Sequence, residues 1–400
     1  MSEPPVTDQD LSQPFPAPGM GSLSRAPGSG EQADAANAAV PAPASDALGG
    51  SGDDEANQAP LSLGERLRRP RTILSIAIPI VLVVLVFRLT LNIDINELID
   101  GVTRANKVLL LAGLLVFYAG FPLRGKRWSM LLRGAGYHVP VRDSTEILFL
   151  SWLVNCLVPA KLGDVYRAYL LKLNCPPVSI TKTLGTVVIE RILDILGIAI
   201  LGLAAGFWSF RSGFPPEIQF VVALGIVVIV VLAAGLLLIR NFGRRILERL
   251  PLPTRLLDAY DKFEQGVFGA LGVRSIPPLL VLTGLIWATE GFRLWFVVLA
   301  LGFPDVQLGI SGAFFVAFIG SLLTAVPLSP AGLGAVELGV VGVLTLAYGV
   351  APQEAATIVI VDRLISVFSV IVIGSITYVL SGKRRGAGLS QPPEVVVPAA

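Results

Sequence analysis

The chain has little of what soluble catalysis usually draws on. Its 400 residues hold one histidine, His138, and two cysteines, Cys156 and Cys175, and only 15% of side chains are charged. The cysteines are far from any metal-ligand spacing, and His138 has no ligand-type neighbour, so it reads as an ordinary loop residue; metal chemistry and histidine acid/base catalysis lack support. No Walker A pattern occurs, which removes nucleotide hydrolysis as an energy source. Neither a cofactor nor nucleic acid is expected as a ligand.

What the chain does have is apolar sequence. Hydrophobic residues make up 53% and the mean hydropathy is +0.72, too apolar for a soluble domain that must cover its own surface. Residues 1–64 are the exception, rich in Ala, Pro, Gly, Ser and Asp, with nine acids against the single Arg25. Such a segment buries too little apolar surface to offset the entropy of ordering, and it reads as a disordered, acidic cytoplasmic tail. It lacks the basic start and apolar stretch of a signal peptide. The membrane part, 65–381, carries the net positive charge, and 382–400 reads as a short solvated tail without a lipidation motif.

About 20 helical residues cross a bilayer core. Apolar runs near that length fall at about 72–91, 108–123, 145–158, 183–208, 218–239, 277–301, 309–327, 335–350 and 357–380. Basic clusters at 66–71, 124–133, 161–182, 240–274 and 383–385 all belong in the cytoplasm by the positive-inside rule. Parity then makes 145–158 one leg of a re-entrant hairpin turning near Pro159, and makes 309–327 and 335–350 leave from and return to the outside. The expected class is all-α: a polytopic membrane protein with 7–8 transmembrane helices plus re-entrant segments and both termini cytoplasmic. The stretch 241–276 suits either amphipathic helices on the inner leaflet or a solvated linker.

Ionised residues at mid-membrane cost roughly 2.5–3.5 kcal/mol each even on translocon scales, so each needs a partner or a wet cavity. Four groups stand out. NCLVPAKLGDVYR holds Asn155, Pro159, Lys161, Gly163, Asp164 and Arg167; VVIERILDILG holds Glu190, Arg191 and Asp194; the run 277–301 holds Glu290 and Arg293; and PLSPAGLGAVE (Pro327, Pro330, Gly332, Gly334, Glu337) precedes Asp362 and Arg363. Glu290 and Arg293, one turn apart, are as well explained by internal pairing as by function. Pro/Gly breaks at membrane depth persist only where protein buries the freed backbone or a cavity wets it, so the hairpin turns mark cavity walls.

The groups are duplicated. A Pro-to-Gly turn and an acid (Pro159, Gly163, Asp164) precede Glu190-Arg191, and a second turn and acid (Pro327, Gly334, Glu337) precede Asp362-Arg363; VVIERIL parallels VIVDRLI. That is an inverted-repeat pattern, which in transporters places the substrate between the halves.

These motifs, with RGKRWSMLLRGAG (124–136), resemble the flippase-like membrane domain of lysylphosphatidylglycerol synthases and its stand-alone relatives over roughly 72–380. The resemblance departs in the short sequence after the last run, where full-length synthases carry a soluble catalytic domain, and in Ala331, where many relatives have glycine. It implies a non-enzymatic translocator or binder of an anionic, aminoacylated or polyisoprenoid-linked lipid in a bacterial inner membrane. Lys161, Arg167, Arg191 and Arg363 would hold phosphate, and Asp164, Glu190, Asp194, Glu337 and Asp362 would counter those charges. A cytoplasmic lipid-modifying enzyme is a candidate partner. The alternatives are an intramembrane transferase using Asp164 or Glu190 as base, and a non-catalytic anchor for a cytoplasmic enzyme.

Overall fold

The computed structural model describes residues 95–211, scattered positions between 219 and 241, and residues 253–325 and 329–390. The expected tail 1–64, the apolar run 72–91, most of 218–239, Pro327 and the last ten residues lie outside the described residues.

All regular elements among the described residues are helical: α1 (Ile95–Arg104), α2 (Lys107–Gly134), α3 (Val141–Leu157), α4 (Leu162–Asn174), α5 (Ile180–Ser209), α6 (Thr254–Gly269), α7 (Ile276–Leu301), α8 (Ile310–Ala325), α9 (Ala335–Tyr348), α10 (Pro352–Arg363) and α11 (Ser369–Leu380). A π-helical turn, Leu364–Phe368, joins α10 to α11. Four stretches among the described residues are long and apolar enough to cross a membrane: 107–134, 276–301, 330–348 and 352–380. The third includes the broken backbone before α9, so its continuous helix is only 14 residues. Helix α5, at 30 residues, also has the length to span, at ~1.5 Å per residue.

Two helical hairpins interrupt the long helices. Helices α3 and α4 have 17 and 13 residues, and α8 and α9 have 16 and 14, all short of the ~20 that a full crossing takes. The first turn is built by Pro159 with Ala160 (φ 63°) and Lys161 (φ 51°) in the left-handed region. Gly163 does not form this turn as expected; it sits inside α4, where a side chain would run into the Ser151 carbonyl and Asn155. Asn155 Oδ1 accepts from its N–H at 2.8 Å and Ser151 Oγ donates to its carbonyl at 2.7 Å, clasping the two legs. The second turn runs through Pro330, Ala331 (φ 52°), Gly332 (φ 71°) and Gly334 (φ 93°). Ala331 therefore occupies a conformation that costs a non-glycine residue ~1–2 kcal/mol, the physical reason glycine suits that position. Helix α3 packs against the second turn, so the hairpins meet.

Helix α6 docks on α5 through Gly266 and Gly185, where each backbone closes on the other with no room for a Cβ. Of the expected amphipathic stretch, this part is a helix with one face packed on protein; 242–252 lies outside the described residues.

The C-terminal segment corrects the expectation of a solvated tail from 382. Residues 381–390 fold back on the base of the first hairpin: Lys383 Nζ pairs with Asp143 at 2.7 Å, Ser390 donates to Asp143 from N and Oγ at 2.9 and 2.7 Å, and the Asn174 amide donates to the Lys383 carbonyl at 2.7 Å. The sequence signal was a basic tripeptide, and one of its members meets a carboxylate 240 positions away. Burial pushes the Asp143 carboxyl up, but Lys383 and Ser390 outweigh it and hold the group below its ordinary value. A depressed folded-state pKa contributes stability above the unfolded value of ~3.9 that is lost as pH falls through the folded value. Lys383→Ala strands a buried carboxylate and should destabilise the protein by ~3 kcal/mol, read as a lowered Tm at pH 7 whose difference from wild type shrinks as pH falls below 4.

Candidate functional site

Among the described residues, every arginine buried in the helical core has a carboxylate. Arg191 binds Asp164 in a two-pronged bond, Nε to Oδ2 and Nη2 to Oδ1, both at 2.9 Å, and reaches Asp194 at 3.2 Å. Arg167 bridges Asp164 (3.6 Å) and Glu190 (2.9 Å). Arg127 joins Glu190 (3.3 Å) to Asp194 (2.7 Å). These six residues close a ring of alternating charge, drawn from α2, α4 and α5, in which each member touches two of the opposite sign. Arg167 also lies 5.2 Å from the Trp128 ring centre, and Arg127 donates to Thr283 Oγ1 of α7 at 3.0 Å.

The second half is an open chain. Glu290 accepts from Arg124 Nη2 through Oε1 (2.5 Å) and from Arg293 Nη1 through Oε2 (2.7 Å). Arg293 turns its remaining donors on Asp362, Nε to Oδ1 at 2.8 Å and Nη2 to Oδ2 at 3.1 Å. Separately, Arg363 Nε meets Glu337 Oε1 at 2.9 Å, while Glu337 Oε2 takes the Gly334 N–H at 2.6 Å, capping α9 where the backbone is broken. Glu290 and Arg293 do pair within their helix, but each also ties α7 to another element. Asp362 and Arg363, adjacent in sequence, serve different partners.

The parallel strings thus carry a shared geometry. In each half the arginine of the acid-Arg pair binds the acid that follows the hairpin turn (Arg191 with Asp164, Arg363 with Glu337), and the acid of the pair binds an arginine from another helix. Two members of the network are not among the site residues expected from sequence. Arg124 and Arg127 belong to a basic cluster that the positive-inside rule assigns to the cytoplasm, yet both are buried, at 4% and 1% exposure. The rule counts charges in loops, whereas α2 continues unbroken to Gly134 and carries both inside. The signal available was their i, i+3 spacing on one helix side.

A cavity of about 180 Å³ opens where the hairpins meet. Of the expected site residues it is lined by Asn155, Lys161, Arg191, Glu290, Arg293, Gly332, Asp362 and Arg363, with Trp287, Ser321 and Ser366 beside them. Asp164, Arg167, Glu190, Asp194 and Glu337 stand behind it as counter-charges, and Pro159, Gly163, Pro330 and Gly334 shape the legs without lining it. Among the described residues no group of His, Cys, Asp and Glu is arranged to hold a metal ion.

The lining is one-sided chemically. Both carboxylates facing the cavity have every oxygen committed to arginine. The donors are not all taken: Arg363 Nη2 and the neutral Trp287 indole N–H are buried without an acceptor, and Lys161 makes no hydrogen bond or ion pair among the described residues. Among its charged groups, what the cavity has to spare is donors.

The network sets a cost for its own disruption. Arg124→Gln leaves Glu290 half-paired and should destabilise by ~3–5 kcal/mol. Combined with Glu290→Gln the loss should be less than the sum of the two single changes, as a double-mutant cycle on thermal unfolding in detergent would show; strict additivity would contradict the pairing.

Comparison with known proteins agrees with this architecture. A UPF0104 membrane protein of Methanocaldococcus jannaschii is 35% identical over 229 residues, 56% of this chain and 92% of that protein. The glycosyltransferase AglD of Haloferax volcanii is 28% identical over 330 residues, 73% of this chain but 52% of AglD, so the chain spans about half the length of that relative. A UPF0104 membrane protein of Methanothermobacter thermautotrophicus is 24% identical over 314 residues, 74% of this chain and 90% of that protein. The family described as the lysylphosphatidylglycerol synthase TM region matches residues 72–374, a range that takes in both hairpins and every charge of the network, and the chain is an integral membrane protein belonging to that family.

Proposed function

We propose that the protein binds the anionic headgroup of a membrane lipid in the cavity between its hairpins and passes it between leaflets while the chains remain in the bilayer. The observation that carries this reading is the imbalance among the charged groups of the lining: the acids at the cavity are saturated, while Lys161 and Arg363, with the Trp287 indole, keep N–H groups to spare. A phosphate oxygen is the acceptor such a site fits. The short hairpin legs and broken backbone support movement rather than storage alone, since non-helical backbone at membrane depth accompanies the substrate sites of transporters. No residue is assigned a catalytic role.

A second reading has its own support in the similarity to a protein named a glycosyltransferase. The headgroup then bears a sugar, and the chain presents the lipid to, or receives it from, a transferase, which would be the cytoplasmic lipid-modifying partner. The location in this proposal is the cytoplasmic membrane of a bacterium with both tails inside, supported by the basic tracts at 66–71 and 383–385; the relatives named above are archaeal.

Lys161 gives the cleanest test, because its removal strands no carboxylate. In proteoliposomes containing phosphatidylglycerol labelled on its acyl chain, dithionite quenching should report exchange between leaflets with the full-length protein. Lys161→Gln should slow it by about 10-fold, the loss of one charge-assisted hydrogen bond, with Tm unchanged. Equal rates for the two proteins would remove the cavity from the transport path.

A further inference from the structure

The charges of the core can be counted against one another. Six arginines (124, 127, 167, 191, 293 and 363) are linked by ion pairs to six acids (164, 190, 194, 290, 337 and 362). The remaining buried pair among the described residues, Asp143 with Lys383, balances itself at the tail. With all of these ionised, the groups at the cavity and directly behind it sum to zero among the described residues except for Lys161, which stands at the cavity on a left-handed residue of the first turn and makes no ion pair there.

From this ledger we infer that the cavity selects a headgroup of one net negative charge, a phosphodiester monoanion whose remaining groups are neutral. This deepens the proposed lipid-binding reading and rests on it. The physical reason is the self-energy of charge in a low-dielectric medium: an occupied cavity inside the bilayer is least costly when its total charge is zero. A phosphodiester monoanion brings the total from +1 to zero. A diphosphate would leave it at −1 or below with no cation free to answer, because the other arginines are already matched. A cationic aminoacylated headgroup would raise the charge to +2. A zwitterion would leave Lys161 uncompensated. Both an ordinary anionic phospholipid and a polyprenyl phosphodiester of a sugar meet the requirement, since each presents one phosphodiester.

Lysine suits this task better than a seventh arginine. Its ammonium is a compact point charge on a flexible stem with three rotatable donors, so it can follow a phosphate across the cavity. Of the arginines beside it, Arg191 and Arg293 are held by two-pronged bonds to Asp164 and Asp362, and Arg363 keeps Glu337 through Nε while its Nη2 remains to spare.

The test uses the full chain in nanodiscs and compares binding within matched chain types. Phosphatidylglycerol is set against phosphatidylcholine, and a polyprenyl phosphate hexose against the corresponding polyprenyl diphosphate hexose. The monoanion should bind about 10-fold tighter in each pair. Lys161→Arg should keep that order, and Lys161→Gln should reverse the first comparison in favour of phosphatidylcholine. A diphosphate that binds as tightly as the monophosphate diester, or an unchanged order in Lys161→Gln, overturns the charge selection while leaving the cavity as a lipid site. If the protein retains none of the four lipids and moves no phosphatidylglycerol between leaflets, the proposed function fails and the selection fails with it. Preference between phosphatidylglycerol and the polyprenyl phosphate hexose then identifies which lipid class supplies the phosphodiester.

Discussion

A charge taken out of water inside a bilayer must be matched nearby, and this requirement organises the core of the protein. Taking one member from a buried pair costs ~3–5 kcal/mol, because the partner left behind is what the medium penalises. Twelve such groups, contributed by α2, α4, α5, α7, α9 and α10, therefore hold one another in place. Apolar packing alone gives helices in a membrane little reason to choose one neighbour over another, since lipid tails are as apolar as leucine. The ion pairs supply the register. The six-membered ring fixes α4 against α5 and α2, and the Arg124–Glu290–Arg293–Asp362 chain fixes α7 between α2 and α10.

The hairpins follow from the same accounting applied to backbone. Stopping a helix inside the membrane exposes N–H and C=O groups that lipid cannot satisfy. In the first hairpin Asn155 and Ser151 take up the Gly163 peptide from the facing leg. In the second, Glu337 takes the Gly334 N–H. Glu337 thus does two jobs, capping α9 and countering Arg363. A change at Arg363 would be felt at the turn itself, so loss of transport in Arg191→Gln or Arg363→Gln would not separate binding from folding, whereas Lys161 allows that separation.

Much of this was legible in sequence, and the unread part has a common cause. The boundaries of α5, α7 and α8 follow from apolar length, and the hairpins from legs too short to span combined with the proline and glycine between them. The two charge sets around Asp164–Arg191 and Glu337–Arg363 were visible as a duplicated pattern, and the structure brings both pairs into contact. What a linear reading handles poorly is charge that is paired at a distance. Arg124 and Arg127 look like a cytoplasmic flank because their carboxylates are 166, 63 and 67 positions away. Lys383 looks like a tail residue because Asp143 is equally remote. Local misplacement hid in the other direction at Gly163, whose glycine serves close approach between legs rather than the turn beside it, while the left-handed positions went to Ala160 and Lys161, which no propensity would choose.

Lys161 illustrates why one unmatched charge decides more than six matched ones. A site that must both take up and release a headgroup needs interactions strong enough to replace water at the phosphate yet weak enough to be given up on the other side. The arginines cannot be given up, because each holds a carboxylate in place. A lysine without a partner, carried on a turn at the meeting of the hairpins, gains its full electrostatic reward only when the anion is present and strands nothing when it leaves. The ring and chain of ion pairs balance their own charge, and in the proposed function the unpaired ammonium gives the cavity its preference in charge.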